Sequence, residues 1–172
     1  MCIRDRGMSD TAFYAPDTTR LATAYARRDG TLEVSDPPDG QWSRPPAFAD
    51  GGSGLLSTVD DVVTFGRMLL CGGDPVLKAT TVEAMTRDQL TETQRRNVWP
   101  GFSFLDDRGW GYGVSVCDDG RYTWDGGFGT TWSNIPSRDL TIVVLTQRVT
   151  DDTGPPLVCD EVLRTVIAAT DH

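Results

Sequence analysis

Histidine and lysine are almost missing from this chain, which has one of each: His172, the last residue, and Lys78. A lone imidazole at a terminus, where chains fray, excludes Ser-His-Asp and Cys-His sites, since both need that ring held in place. Lys78 has Pro75 three positions before it, so no Ser-x-x-Lys nucleophile and base pair occurs. The tyrosines Tyr14, Tyr25, Tyr112 and Tyr122 are followed two positions later by Pro16, Arg27, Val114 and Trp124, so there is no Tyr-x-Asn either. The cysteines Cys2, Cys71, Cys117 and Cys159 are scattered and make no Cys-x-x-Cys. Neither a metal site nor a disulfide framework is expected from that spacing, and no cofactor is expected. Cys71, Cys117 and Cys159 read as small buried apolar residues.

Positive charge is also scarce, with 16 basic against 25 acidic residues and a formal net charge of -9. Nucleic acid and anionic membranes both call for a basic face, so neither is expected as a partner. No run approaches the roughly 18 apolar residues of a membrane span. The start, Met1 to Gly7, lacks the apolar stretch of a secretory signal, which leans towards a cytoplasmic location. Those seven residues resemble translated sequencing-adapter sequence, so residues 1–7 are set apart as an artefact. The native reading is then expected to begin near Met8 or upstream of it.

The most informative stretch is Trp124-Asp-Gly-Gly-Phe-Gly-Thr-Thr-Trp132, followed by Leu140-Thr-Ile-Val-Val-Leu-Thr146. Glycines between two tryptophans point to a backbone that approaches a ligand or another strand closely. A tight turn or bulge, with Trp132 a core aromatic, is the plainer alternative. The apolar run reads as a buried strand. Paired aspartates occur at 60–61, 106–107, 118–119 and 151–152, all at expected turns or helix starts, where acids serve local roles.

Residues 8–50 read as mostly irregular, with Ala22–Arg27 a strand or extended piece and Ser35–Gly40 a loop. The Gly51–Gly54 run reads as a helix-entry turn. Ser57 and Asp60 form an expected capping box for a helix carrying Val62, Phe65, Met68 and Leu69, which Gly72-Gly73 stops. Thr80 and Glu83 predict a second, shorter helix to about Leu90. Trp110, Tyr112, Val114 and Val116 alternate with small residues as one strand. A turn at Asp118-Asp-Gly120 leads to a strand over Arg121–Trp124, then strands from Trp132 to Ile135 and Leu140 to Thr146, with Pro136–Asp139 turning between them. Gly154-Pro-Pro156 opens a terminal helix whose stripe is Val158, Val162, Leu163, Val166 and Ile167. The expected class is α+β: a small antiparallel sheet with the C-terminal helix packed on one face and two shorter helices.

Four blocks of this chain, in order, resemble the beta-lactamase-related serine hydrolases, which include class C beta-lactamases, DD-peptidases and carboxylesterases. They are Gly51-Gly-Ser-Gly-Leu-Leu-Ser-Thr-Val-Asp-Asp61, Gly109-Trp-Gly-Tyr-Gly113, Trp124-Asp-Gly-Gly-Phe-Gly-Thr130 and Leu140-Thr-Ile-Val-Val-Leu-Thr-Gln147. The resemblance implies that residues 8–172 are the C-terminal part of one such domain. It implies that Trp124-Asp125-Gly126 stands where penicillin-binding members keep Lys-Thr-Gly, and that Trp124, Asp125 and Gly126 form the substrate-binding stretch, with the Asp125 side chain either pointing away from the substrate face or bonded to a neighbour. It also implies that the Gly127 backbone N–H is one oxyanion donor, the other being the serine's own N–H. Ser-x-x-Lys and the tyrosine motif would lie in a missing N-terminal part of the same protein. That part is the expected partner, and a small ester or amide the expected substrate. Without a lysine to pair with a carboxylate, esters and neutral amides are favoured over beta-lactams. Two other readings remain: a non-catalytic binding module using the same sheet, and a hydrolase that uses two acids near Trp124.

Overall fold

The computed structural model describes residues 7–96, 108–150 and 157–170. The elements are β1 (Ala24–Arg28), β2 (Thr31–Asp36), α1 (Val59–Leu70), α2 (Ala79–Met85), α3 (Glu92–Arg96), β3 (Arg108–Trp110), β4 (Ser115–Cys117), β5 (Tyr122–Gly126), β6 (Thr130–Ile135), β7 (Leu140–Leu145) and α4 (Leu157–Ala169). Strands β3 to β7 form one sheet in sequence order, and β1 and β2 form a separate antiparallel hairpin. The class is α+β, as expected.

The described residues divide into two compact units. One draws on Met1–Phe65, Asp125–Thr131 and Val143–His172, and the other on Gly66–Trp124 and Trp132–Ile142.

The first unit holds the β1–β2 hairpin, which sequence periodicity left as a single extended piece. Its turn is Asp29-Gly30, with φ of 48° and 83°, the left-handed pair that a two-residue hairpin turn requires. The Tyr25 N–H donates to the Gln147 carbonyl at 2.7 Å, and the Val149 N–H donates to the Tyr25 carbonyl at 2.8 Å. The hairpin is thereby stitched to the segment after β7. The start of α1 differs from the expected box. The Thr58 hydroxyl, not Ser57, accepts the Asp61 N–H, at 3.3 Å. Ser57 is instead bonded to the Thr11 hydroxyl at 2.8 Å. Buried Asp61 accepts from the Asp10 N–H and the Thr11 hydroxyl, tying the incoming chain to the helix. The expected start of α4 at Gly154–Pro156 lies outside the described residues. Its inner stripe is Cys159, Val162, Leu163, Val166 and Ile167, while Val158 is exposed.

The second unit holds most of the apolar core: Met68, Leu69, Val82, Val114, Val116, Tyr122, Trp132, Ile135 and Ile142 are buried. Helix α1 stops at Leu70, where Gly72 and Gly73 take φ of 82° and 89° and the Gly73 N–H reaches back to the Met68 carbonyl at 2.8 Å. Helix α2 starts at Ala79 with Lys78 at its cap and ends at Met85, short of the expected Leu90. Thr80 is therefore inside the helix rather than at its cap.

The single strand expected over Trp110–Val116 is two strands. Trp110 pairs with Ser115 across a turn at Gly111–Gly113, where the Gly111 N–H donates to the Val114 carbonyl at 2.9 Å. Gly113, at φ of 83°, turns the chain, and alternation with small residues masked that break. A Cβ on Gly111 would fall 1.8 Å from the Met85 carbonyl oxygen, so glycine there lets α2's end meet the hairpin. The remaining hairpin turns fall where the sequence places them. Cys159 is buried, Cys117 is half-buried and Cys71 is exposed, so the buried reading fails for Cys71, which sits past the α1 terminus.

Candidate active site

In the first unit, β5 ends at Gly126 and β6 begins at Thr130, leaving a tight turn closed by the Gly129 N–H on the Gly126 carbonyl at 3.0 Å. Gly129 has φ of 69°. Its carbonyl accepts the Thr146 N–H at 3.3 Å, the Thr146 hydroxyl at 2.6 Å and the Cys159 thiol at 3.8 Å. The Gly127 carbonyl accepts the Thr150 N–H at 2.8 Å. Strand β7's exit and helix α4 thus hold the turn by its carbonyls. A Cβ on Gly126 would lie 2.3 Å from the Thr130 hydroxyl, whereas one on exposed Gly127 would meet nothing within 4 Å. The space beside Gly127 is open to an incoming group.

The Asp125 carboxylate accepts the Thr131 hydroxyl at 2.7 Å. Of the two roles left open for it, bonding to a neighbour is the one realised. Phe128 meets Trp42 edge-on, with ring centroids 6.0 Å apart at 79°. Burial, followed by the nearby carboxylates of Asp125 and Asp160, pushes the Cys159 thiol above its ordinary 9.0. That thiol is protonated at neutral pH and is no nucleophile.

In the second unit, Trp124 is 41% exposed, and its ring stands edge-on to Trp110 with centroids 4.8 Å apart. Trp132 is buried against Tyr122. Of the two tryptophans, Trp132 is a core aromatic and Trp124 a surface one. Burial also raises the Tyr122 phenol, against the lowering effect of its hydrogen bond with Asn134. It is a core group.

Asp118 and Asp119 are exposed at the β4–β5 turn, and Asp60 is exposed on α1. The pairs at 106–107 and 151–152, like His172, lie outside the described residues. No group of three or more His, Cys, Asp or Glu able to hold a metal occurs among the described residues. No described helix is long and apolar enough to cross a membrane.

One feature of the first unit escaped sequence reading. Phe13, Gln41, Trp42, Pro46, Phe48, Asp50, Ser53 and Gly54 line a cavity of about 260 Å³. Gly54 has φ of 84°, and a Cβ there would press within 3.0 Å of the Trp42 ring. The Gly51–Gly54 run therefore seats a tryptophan, besides leading towards α1. The available signal was an aromatic inside a proline-rich loop, Pro37-Pro38 before it and Pro45-Pro46 after it.

Residues 3–157 match the family profile described as Beta-lactamase. Protein Rv1367c of Mycobacterium tuberculosis strain H37Rv is 36% identical over 167 residues, a match covering 84% of this chain and 41% of that protein. Simvastatin synthase LovD from Aspergillus terreus, in its LovD6 mutant form, aligns at a TM-score of 0.76 and 21% identity, over 96% of this chain and 46% of its own. EstCE1, a hydrolase with promiscuous acyltransferase activity, aligns at 0.68 and 22% identity, over 85% of this chain and 43% of its own. The chain spans less than half the length of each of these relatives.

Proposed function

This chain belongs to the beta-lactamase family, and on that premise we propose that it is the C-terminal part of a longer serine hydrolase. The parent protein opens an ester or amide through a serine acyl-enzyme, and the Ser-x-x-Lys and tyrosine groups come from sequence that precedes this chain. Here the Gly127 N–H contributes one oxyanion donor, Gly126 leaves room for the Thr130 side chain beside it, and Trp124 keeps the substrate-facing role that the family resemblance implies.

The observation that carries this reading is the turn at Gly126–Gly129. Its carbonyls are held by Thr146, Thr150 and Cys159, while the Gly127 face is open. A donor preorganised in this way needs no rearrangement as charge develops on the substrate oxygen, and such a donor is typically worth about 10²–10³ in rate. Trp124 in the position of a penicillin-binding lysine supports neutral esters over beta-lactams, because no fixed cation is there to pair with a carboxylate. EstCE1's acyltransferase activity is in line with acyl chemistry.

The test is a serine-directed fluorophosphonate applied to two proteins: this chain, and the full reading frame extended upstream of Met8. Label is expected on an upstream serine followed three residues later by lysine, with none on this chain by itself. Covalent labelling of the isolated chain would overturn the proposal, as would an upstream frame without that motif.

A further inference from the structure

The aromatic cavity of the first unit extends the reading from the acyl-transfer turn to what that turn would act on. Phe13, Trp42, Pro46 and Phe48 supply its apolar walls, and Gln41, Asp50 and Ser53 its polar ones. Trp42 is fixed from three directions. Its carbonyl accepts the Ala15 N–H at 2.9 Å, its ring lies over Gly54, and its ring meets Phe128, the residue after Gly127. Trp42 therefore links the cavity to the turn carrying the proposed oxyanion donor, within a single unit. Phe48, by contrast, is 79% exposed. A large aromatic left open beside an aromatic-lined hollow marks a ligand surface more readily than a packing one.

We propose that this cavity is the substrate side pocket and takes a neutral, single-ring-sized apolar group on the ester or amide. The proposal rests on the serine-hydrolase reading for its substrate, but not for its binding. The volume of about 260 Å³ falls just under the roughly 300–1,000 Å³ of sites that enclose whole drug-sized ligands, so it fits one ring or a short branched chain. Aromatic walls favour a flat apolar group through edge and face contacts. Asp50 sets the charge preference. Its carboxylate is held in the wall by the Gly52 N–H at 2.8 Å and the Ser53 hydroxyl at 3.1 Å. A carboxylate on the ligand would meet that fixed negative charge, whereas an ester or amide would not.

Methyl benzoate and benzoate serve as probes on the full chain, read by amide and indole shifts in ¹H–¹⁵N NMR. Methyl benzoate is expected to shift the Trp42 indole and Gly54 amide signals saturably. Phe48→Ala should weaken it about fivefold, the scale of one lost aromatic contact, and the exposure of Phe48 means the fold survives the change. Benzoate should bind about threefold more weakly than its ester, and Asp50→Asn should remove that difference. Shifts elsewhere that leave Trp42 and Gly54 unmoved would overturn the pocket, as would unchanged affinity in Phe48→Ala or equal affinity for acid and ester. Binding needs no serine. Probe binding without fluorophosphonate labelling of the extended protein would therefore sink the catalytic reading alone, and labelling without probe binding would sink the pocket alone.

Discussion

Among the described residues, the two units differ in where their largest polar network and their most exposed phenylalanines lie. The second unit buries polar side chains: Asn134 is fully buried, and Ser133 and Thr123 nearly so. The Asn134 amide donates to the Gly66 carbonyl at 2.8 Å and the Tyr122 hydroxyl at 2.9 Å, and its oxygen accepts the Thr141 hydroxyl at 2.7 Å. Ser133 donates to Thr123, which donates to the Trp132 carbonyl at 2.6 Å. The first unit buries a smaller polar pair, Thr11 and Asp61, and leaves Phe48 and Phe128 accessible beside a bare glycine at 127. A buried polar network is tolerable only when its members are paired, and once paired it specifies one arrangement. Exposed aromatics beside an open glycine contribute little to stability and are free to meet a ligand. The contrast separates a stretch of chain built to hold its shape from one built to be approached.

The comparison breaks first at Asn134. Replacing it with alanine strands the Tyr122 and Thr141 hydroxyls and leaves a small void. A loss of about 3 kcal/mol is expected in urea unfolding monitored by tryptophan fluorescence. A loss under about 0.5 kcal/mol, the level of an ordinary surface change, would mean that the network is not a stability element.

Gly66 is the next point of strain. In a helix an alanine ordinarily gains about 1 kcal/mol over glycine. Here its Cβ would sit 2.6 Å from both the Thr141 methyl and the Trp132 ring nitrogen. Overpacking of that kind typically costs about 1–3 kcal/mol, so Gly66→Ala should destabilise by up to about 2 kcal/mol despite the better helix propensity. A stabilised variant would show that α1 can shift away from the sheet residues of its unit.

Much of this molecule was legible in its residues, for reasons that differ by element. Helix α1 and strands β5 to β7 were readable because apolar periodicity and turn residues agree there. The β3–β4 break was not, because the glycines that close the turn also occupy the small positions of an alternating strand. The β1–β2 hairpin was missed although Asp29-Gly30 is its turn, because Thr31–Asp36 is exposed almost throughout and carries no inward face. For the candidate site, the glycine turn was visible in Gly126, Gly127 and Gly129. The Trp42 pocket was not, since it brings Phe13 together with an irregular loop from Gln41 to Gly54 that carries no periodicity.

A smaller effect concerns pH. Burial works to raise the Asp88 carboxyl, but the N–H groups of Leu90 and Trp110 and the Arg95 guanidinium outweigh it, leaving the group below its usual 3.8. A lowered carboxyl contributes stability that is present above the unfolded value and lost as pH falls through the folded one. Asp88→Asn should therefore cost about 1 kcal/mol at neutral pH, and the gap from the native chain should close below pH 3.8, measured as urea midpoints across pH. A gap that stays constant down to pH 2.5 would assign the cost to packing rather than charge.

The smallest expected effect is the most discriminating, because it repeats the Gly66 substitution in the other unit. Gly127→Ala puts a methyl where nothing lies within 4 Å and where φ is not in the left-handed region. It keeps the backbone N–H that the proposed mechanism uses and the carbonyl that Thr150 holds. Stability should stay within about 0.5 kcal/mol of the native chain. In the extended protein, the labelling rate should fall far less than the hundredfold or so associated with a lost oxyanion donor. Gly127→Pro, which deletes the N–H, should lose about that hundredfold. If alanine costs as much at 127 as at 66, the turn is a packed element of the first unit. Glycine would then be there for space inside the fold and not for access from outside it.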